Sequence, residues 1–160
     1  VDYLLYVDKK TGLPNREKLN IYIEEMAGKV LPEAFTCFTL SLDNLSELTK
    51  RFGYTVGDGV LKDFAGLVQL MGDTEGMRGY NGVGRFVVFF EECSSKKAAA
   101  MIRILDNQVE EYNSLNPEYP IRYTAAWATT EETDTYEIRE LLRLSQKKWK
   151  QMESPSIQKK

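Results

Sequence analysis

The chain contains no histidine. That absence excludes a Ser-His-Asp or Cys-His triad, a histidine-ligated zinc and a histidine general base. Cysteine is scarce: Cys37 and Cys93 are the two present. They are too few for a disulfide scaffold and lack metal-ligand spacing. Both sit in apolar runs, which predicts buried, reduced thiols. No apolar run reaches the roughly 18 residues of a spanning helix. No charged start, apolar stretch and small-residue cleavage site opens the chain. No membrane contact is therefore expected within this segment. Excess positive charge is also missing, with a net charge of -3 and a sequence pI of about 5.2. Tracking a phosphate backbone needs a basic face, so no nucleic-acid partner is expected. Lys147, Lys148 and Lys150, beside Trp149, read as a solvated helix face.

What is present suits one packed domain. The chain has 160 residues, 42% of them apolar and 28% charged, which supports a core and argues against disorder. It opens on Val1 rather than Met, which reads as a piece of a longer polypeptide.

Periodicity then divides it. Residues 1–14 form an entry segment ending in the turn Asp8-Lys9-Lys10-Thr11-Gly12-Leu13-Pro14. Asn15 is a good N-cap for a helix with Leu19, Tyr22, Ile23 and Met26 on one face, ended by Gly28. Phe35 to Leu42 reads as a strand with Phe38, Leu40 and Leu42 on one side. Asp43 is placed to cap a short helix with Leu45, Leu48 and Phe52 inward, stopped by Gly53. A second helix is expected from Val56 or Asp58. Met77–Tyr80 and Arg85–Phe90 flank Asn81-Gly82-Val83-Gly84, and Asn-Gly between apolar runs is a hairpin signal. Ser94 or Ser95 opens a long helix. Ile121 to Trp127 alternates as a strand with one buried face, and a last helix runs from about Thr135. Residues 153–160 read as a tail or linker, leaving 15–152 as the domain. The order predicts an α/β (α+β) fold: a mainly antiparallel palm or ferredoxin-like sheet flanked by helices.

Asp8 to Arg16, Leu42-Asp43-Asn44-Leu45, Phe52 to Leu61, Gly82-Val83-Gly84-Arg85-Phe86 and the Leu141–Trp149 helix follow one another in a fixed order. Together they resemble the GGDEF domain of bacterial diguanylate cyclases over essentially the whole chain. The first segment is similar to the family's D-x-L-T-G-L-x-N-R turn, with Lys10 at the usual leucine. The second is similar to its G-H-x-x-G-D-x-x-L run, with Tyr54 at the histidine. The resemblance implies two domains face to face, each holding GTP and two divalent cations, joining two GTP molecules into cyclic di-GMP. The chemistry is positioning plus charge stabilisation by metal held on oxygen ligands.

This sequence departs where that chemistry sits. By the resemblance, the strand-end metal carboxylate falls on Ser41, and the hairpin reads Gly-Val-Gly-Arg-Phe. Val83 thus replaces a glycine, Gly84 the acidic ligand and Arg85 the following glutamate. The guanine-reading asparagine aligns with Thr49, and the phosphate-holding lysine and arginine align with Met152 and Ser156. The product-inhibition arginine and aspartate fall on Asp73 and Gly76, while Asp58 aligns with a guanine-contacting aspartate. Three carboxylates lost, at Ser41, Gly84 and Arg85, and one guanidinium gained shift the pocket by four charge units toward positive. A unit charge pair ~4 Å apart interacts by about 4 kcal/mol at a surface-like dielectric. Mg²⁺ binding is therefore expected to be lost, and no cofactor is expected. β-branched Val83 stands where the family brings phosphate against bare backbone.

Three ligand-binding candidates remain. Asp58 is either a guanine contact or an early-helix acid favoured by the macrodipole. Asp43 is either a remnant ligand or the N-cap. Arg85 either grips a phosphate or is solvated or paired with a local glutamate. The expected function is a catalytically inactive GGDEF-like signalling module of a larger bacterial protein, cytoplasmic, acting in cyclic di-GMP regulation. Its partner would be a neighbouring domain of the same polypeptide or a second copy. The alternatives are a GTP sensor without turnover and an active cyclase with other ligands, such as Asp43 or Glu91.

Overall fold

The computed structural model describes residues 5–72 and 75–158. The expected entry segment falls partly outside these residues, as does Asp73. The elements are α1 (Arg16–Ala27), β1 (Thr36–Leu42), α2 (Leu45–Phe52), α3 (Tyr54–Gln69), β2 (Met77–Gly82), β3 (Arg85–Phe90), α4 (Ser95–Leu115), β4 (Tyr123–Thr129), the short α5 (Thr130–Thr133) and α6 (Ile138–Gln158). Helical backbone therefore continues through most of the segment read as a tail or linker.

The four strands form one sheet in the order β2-β3-β1-β4, and every neighbouring pair is antiparallel. This is the expected palm. β1 lies inside the sheet and all seven of its residues are buried. Phe38, Leu40 and Leu42 point into a core with Phe64, Val88 and Leu105. Phe35 and Cys37 point to the opposite face, with Leu19, Ile138 and Leu141. The polar residues of β1 are paired: Thr39 Oγ1 meets Ser145 Oγ of α6 at 2.8 Å. Cys37 and Cys93 are both buried and unbridged, and burial pushes the Cys37 thiol up to about 12.

The entry turn is tied down by its own side chains. Asp8 Oδ2 accepts from the Thr11 N–H and hydroxyl, both at 2.8 Å. Asn15 caps α1 by accepting from Lys18 N–H at 3.0 Å. Tyr80 N–H donates to Pro14 C=O at 2.9 Å, and the Arg16 guanidinium donates to Asn81 C=O at 2.6 Å. The turn is thereby fixed along β2, next to the hairpin.

Four expectations need correction. Asp43 does not cap α2; that helix starts at Leu45 with Asn44 at the cap position. The Asn44 side chain is used instead to hold the approach to β4, donating to Pro120 C=O at 2.7 Å and accepting from Arg122 N–H at 3.2 Å. The second helix begins at Tyr54, earlier than Val56 or Asp58, because Gly53 at φ +95° both ends α2 and starts α3. Phe52 is not inward; it is partly exposed and packs its ring on Tyr119 at 4.8 Å. The last strand runs Tyr123–Thr129 with both faces covered, since α6 lies over the face carrying Ala126 and Ala128.

The hairpin also turns one step later than Asn-Gly implies. Gly82 still pairs with Arg85, and the register slips between Tyr80 and Gly82. The turn residues are therefore Val83 and Gly84, at φ +54° and +74°. A two-residue loop with both central residues left-handed is the I′ kind. A β-branched residue there is strained by roughly 1–2 kcal/mol. Val83 is 85% exposed, so its side chain returns little packing. Val83→Gly is expected to raise stability by about 1 kcal/mol, read as a higher urea midpoint. A lower midpoint would show that Val83 is held by something else.

Candidate functional site

The site expected from the sequence lies where β1 ends, the hairpin turns and α6 crosses. The register of the sheet places Ser41 opposite Arg85 on β3 and opposite Thr124 on β4. Gly84 closes on the end of β1: its C=O accepts from Leu42 N–H at 2.7 Å and its N–H donates to the Tyr80 hydroxyl at 2.8 Å. A Cβ at Gly84 would stand 3.0 Å from Leu42 C=O. Any side chain there meets both a left-handed φ and that carbonyl.

Trp149 of α6 fills the space beside Ser41. It is 7% exposed, and its indole N–H donates to Ser41 Oγ at 2.8 Å. Ser41 Oγ in turn donates to Asp43 Oδ1 at 2.6 Å. Thr124 Oγ1 donates to Asp43 Oδ2 at 2.5 Å. The Arg85 guanidinium lies 4.7 Å above the Trp149 ring, a cation–π contact that completes the stack. Arg85 is exposed, and among the described residues no glutamate pairs with it; its guanidinium lies on the ring instead.

Asp58 stands apart from this group. It is beyond the first turn of α3, so the macrodipole reading does not apply. Its carboxylate pairs with Lys10 of the entry turn at 3.4 Å. Both partners are largely exposed, so the pair contributes well under 1 kcal/mol, yet it occupies the carboxylate. A cleft of about 450 Å³ remains beside the stack, lined by Asp43, Thr49, Lys50, Tyr54, Val83 and Arg85 among others. Glu91, the other acid weighed as a ligand, follows β3 at the end opposite Arg85 and lines a different cavity with Tyr22 and Glu92. Gly76 sits against the Phe90 ring. The site therefore brings together Ser41, Asp43, Gly84 and Arg85, but not Asp58 or Glu91.

In the sequence Trp149 stands only beside the lysines of the last helix, with no part in the site. The available signal was spacing: Leu141, Ser145 and Trp149 recur every four residues, and Ser145 meets β1 one pleat before Ser41. Lys10 was noted as a departure, without its pairing to Asp58.

The residues present do not fit a divalent cation. Mg²⁺ requires several oxygen ligands at near-octahedral angles. Here Ser41 Oγ is committed to an indole N–H and a carboxylate, and both Asp43 oxygens already accept hydroxyls. A guanidinium lies on the indole beside Ser41. No group of three or more acidic or cysteine side chains among the described residues is arranged to hold a metal.

A four-stranded antiparallel palm with its hairpin turn folded against the end of the first strand defines a nucleotide-cyclase-like domain. The chain belongs to the GGDEF domain family, whose model, described as diguanylate cyclase, GGDEF domain, matches residues 5–155. Its fold is similar to a diguanylate cyclase/phosphodiesterase from Caldicellulosiruptor saccharolyticus, with 19% identity, TM-score 0.70, and coverage of 94% of this chain and 90% of that one. It is also similar to the FimX GGDEF domain from Pseudomonas aeruginosa, with 18% identity, TM-score 0.72, and coverage of 89% and 90%. Vibrio cholerae LapD, solved as S helix-GGDEF-EAL bound to c-di-GMP, matches at 14% identity and TM-score 0.65 over 80% of this chain and 30% of that one. No curated protein matches the chain. Among the described residues no helix is long and apolar enough to cross a membrane.

Proposed function

We propose that this chain is a catalytically silent GGDEF module of a larger cyclic di-GMP signalling protein, acting through protein contacts rather than turnover. The observation that carries the reading is the Arg85–Trp149–Ser41–Asp43 stack, which occupies the strand end that the resemblance assigns to metal binding. Phosphoryl transfer depends on cations that neutralise developing charge. Here a guanidinium lies over an aromatic ring instead. The domain would sit beside others in one polypeptide, as the S helix-GGDEF-EAL arrangement of LapD illustrates.

The test is incubation of purified protein with GTP and Mg²⁺ or Mn²⁺. No cyclic di-GMP is expected, and no change in melting temperature with either cation alone. Turnover that disappears on changing Ser41, Asp43 or Arg85 would reject the reading.

One observation favours a second reading, nucleotide binding without turnover. The cleft stays open beside the stack, with the Lys50 ammonium and the Arg85 guanidinium along it. Thermal-shift titration with GTP in the presence of chelator addresses it. A shift abolished by Lys50→Ala would support this sensor reading, and no shift at millimolar GTP would dispose of it.

A further inference from the structure

Two cations line the cleft beside the stack without an anion to meet them. Arg85 and Lys50 are both exposed there. Among the described residues neither side chain makes a hydrogen bond or an ion pair. The acid lining the same cleft, Asp43, already accepts the Ser41 and Thr124 hydroxyls on its two oxygens. The lining is therefore net positive. Trp149 gives one of these cations a fixed pose. Its ring is buried, is pinned by the N–H bond to Ser41 at 2.8 Å, and carries the Arg85 guanidinium at 4.7 Å. A guanidinium stacked in this way uses its charge and its flat side. Its N–H donors lie along the edge of the plane and stay available for oxygens. A side chain already held in one pose loses less freedom when it binds.

We propose that Arg85 and Lys50 form a subsite for a metal-free polyphosphate, and that divalent cations oppose binding there. The inference rests on the second reading above, binding without turnover, and names the charge state of the ligand. A site built on carboxylates meets phosphate only through a cation lying between the two. Here the guanidinium and the ammonium bond phosphate oxygens directly, the first as a bidentate fork and the second as a point charge. Mg²⁺ on the same phosphates cancels two of their charges and competes for the same oxygens. The metal complex is then the poorer ligand, the reverse of what a carboxylate site selects. Trp149 is a positioning residue in this scheme, acting through Arg85.

Calorimetry of the whole chain with pyrophosphate and with GTP, each in chelator and in excess Mg²⁺, tests it. Both probes are expected to bind in chelator, and Mg²⁺ is expected to weaken each roughly tenfold. Arg85→Lys keeps the charge but not the flat fork, and is expected to weaken pyrophosphate roughly tenfold in chelator. Arg85 is exposed, so the fold is kept. Trp149→Phe leaves a ring under Arg85 and should stay within about threefold of the unsubstituted chain. In nuclear magnetic resonance spectra the Trp149 indole N–H is expected to shift as pyrophosphate is added. That of Trp127, bonded to Ser95 at 3.2 Å and outside the cleft, should stay in place. GTP binding that is equal or tighter with Mg²⁺ overturns the proposal and leaves the second reading standing, as does pyrophosphate binding indifferent to Arg85→Lys. No binding of either probe at about millimolar concentration in chelator overturns both.

Discussion

Trp149→Ala is expected to lower stability by about 3–5 kcal/mol, the range for removing a large buried aromatic. Three losses combine. The indole is 7% exposed, so its removal opens a cavity between α6 and the sheet. Ser41 Oγ, itself 4% exposed, loses the N–H donated at 2.8 Å. Arg85 loses the ring on which its guanidinium lies. Domains of this size are stable by only about 5–15 kcal/mol in total, so the variant should unfold at a much lower urea concentration. Trp149→Phe keeps most of the apolar volume and a ring for Arg85 but not the N–H, and should recover all but about 1–2 kcal/mol. Urea titration followed by far-ultraviolet circular dichroism measures both. If Trp149→Ala moves the midpoint no more than a surface change does, the indole is not the filler of this site.

Ser41→Asp, which replaces the hydroxyl with the acid that the family resemblance assigns there, should destabilise this protein by about 3 kcal/mol at neutral pH. The new carboxylate would stand where Ser41 Oγ lies 2.6 Å from Asp43 Oδ1, at a buried position. Two such carboxylates cannot both ionise without a cation between them. One proton is then held more tightly in the folded than in the unfolded state, where carboxyls titrate near ~4. A raised folded-state value means that stability falls as pH rises through the unfolded value and levels off above the folded one. The deficit relative to the unsubstituted chain should be small at pH near 4 and full at pH 7. Added Mn²⁺ should not restore it while Trp149 covers the position. Recovery by Mn²⁺ would mean that the stack yields to a metal.

Much of the architecture was legible because two faces of β1 and the helical stripes follow simple periods. Phe38, Leu40 and Leu42 share one face, and Leu19, Tyr22, Ile23 and Met26 pack together on the other side of the sheet, as their spacing predicts. The misplacements arose from short-range competition. At Asp43 and Asn44 two adjacent cap-forming residues contend, and tertiary contacts to β4 decide between them. At Asn81-Gly82-Val83-Gly84 a strong turn dipeptide is overruled, because Gly84 must meet the Leu42 amide and the Tyr80 hydroxyl. The residues the sequence marked at the site are near one another: Ser41 pairs with Arg85 across the sheet, and Gly84 meets the end of β1. What fills the site was not legible, since Trp149 reaches Ser41 from 108 positions away. A Trp among lysines signals an amphipathic helix, and nothing local says that its ring carries an arginine.

The joint between α2 and α3 bears on anything that enters the cleft. Gly53 serves both helices without an intervening loop, and a Cβ at Gly57 would fall 2.2 Å from Thr49 Oγ1. Only glycine lets the two helices approach this closely along the outer wall of the cleft. A side chain at Gly57 would therefore wedge α2 away from α3 and reshape the cleft wall that carries Thr49, Lys50 and Tyr54.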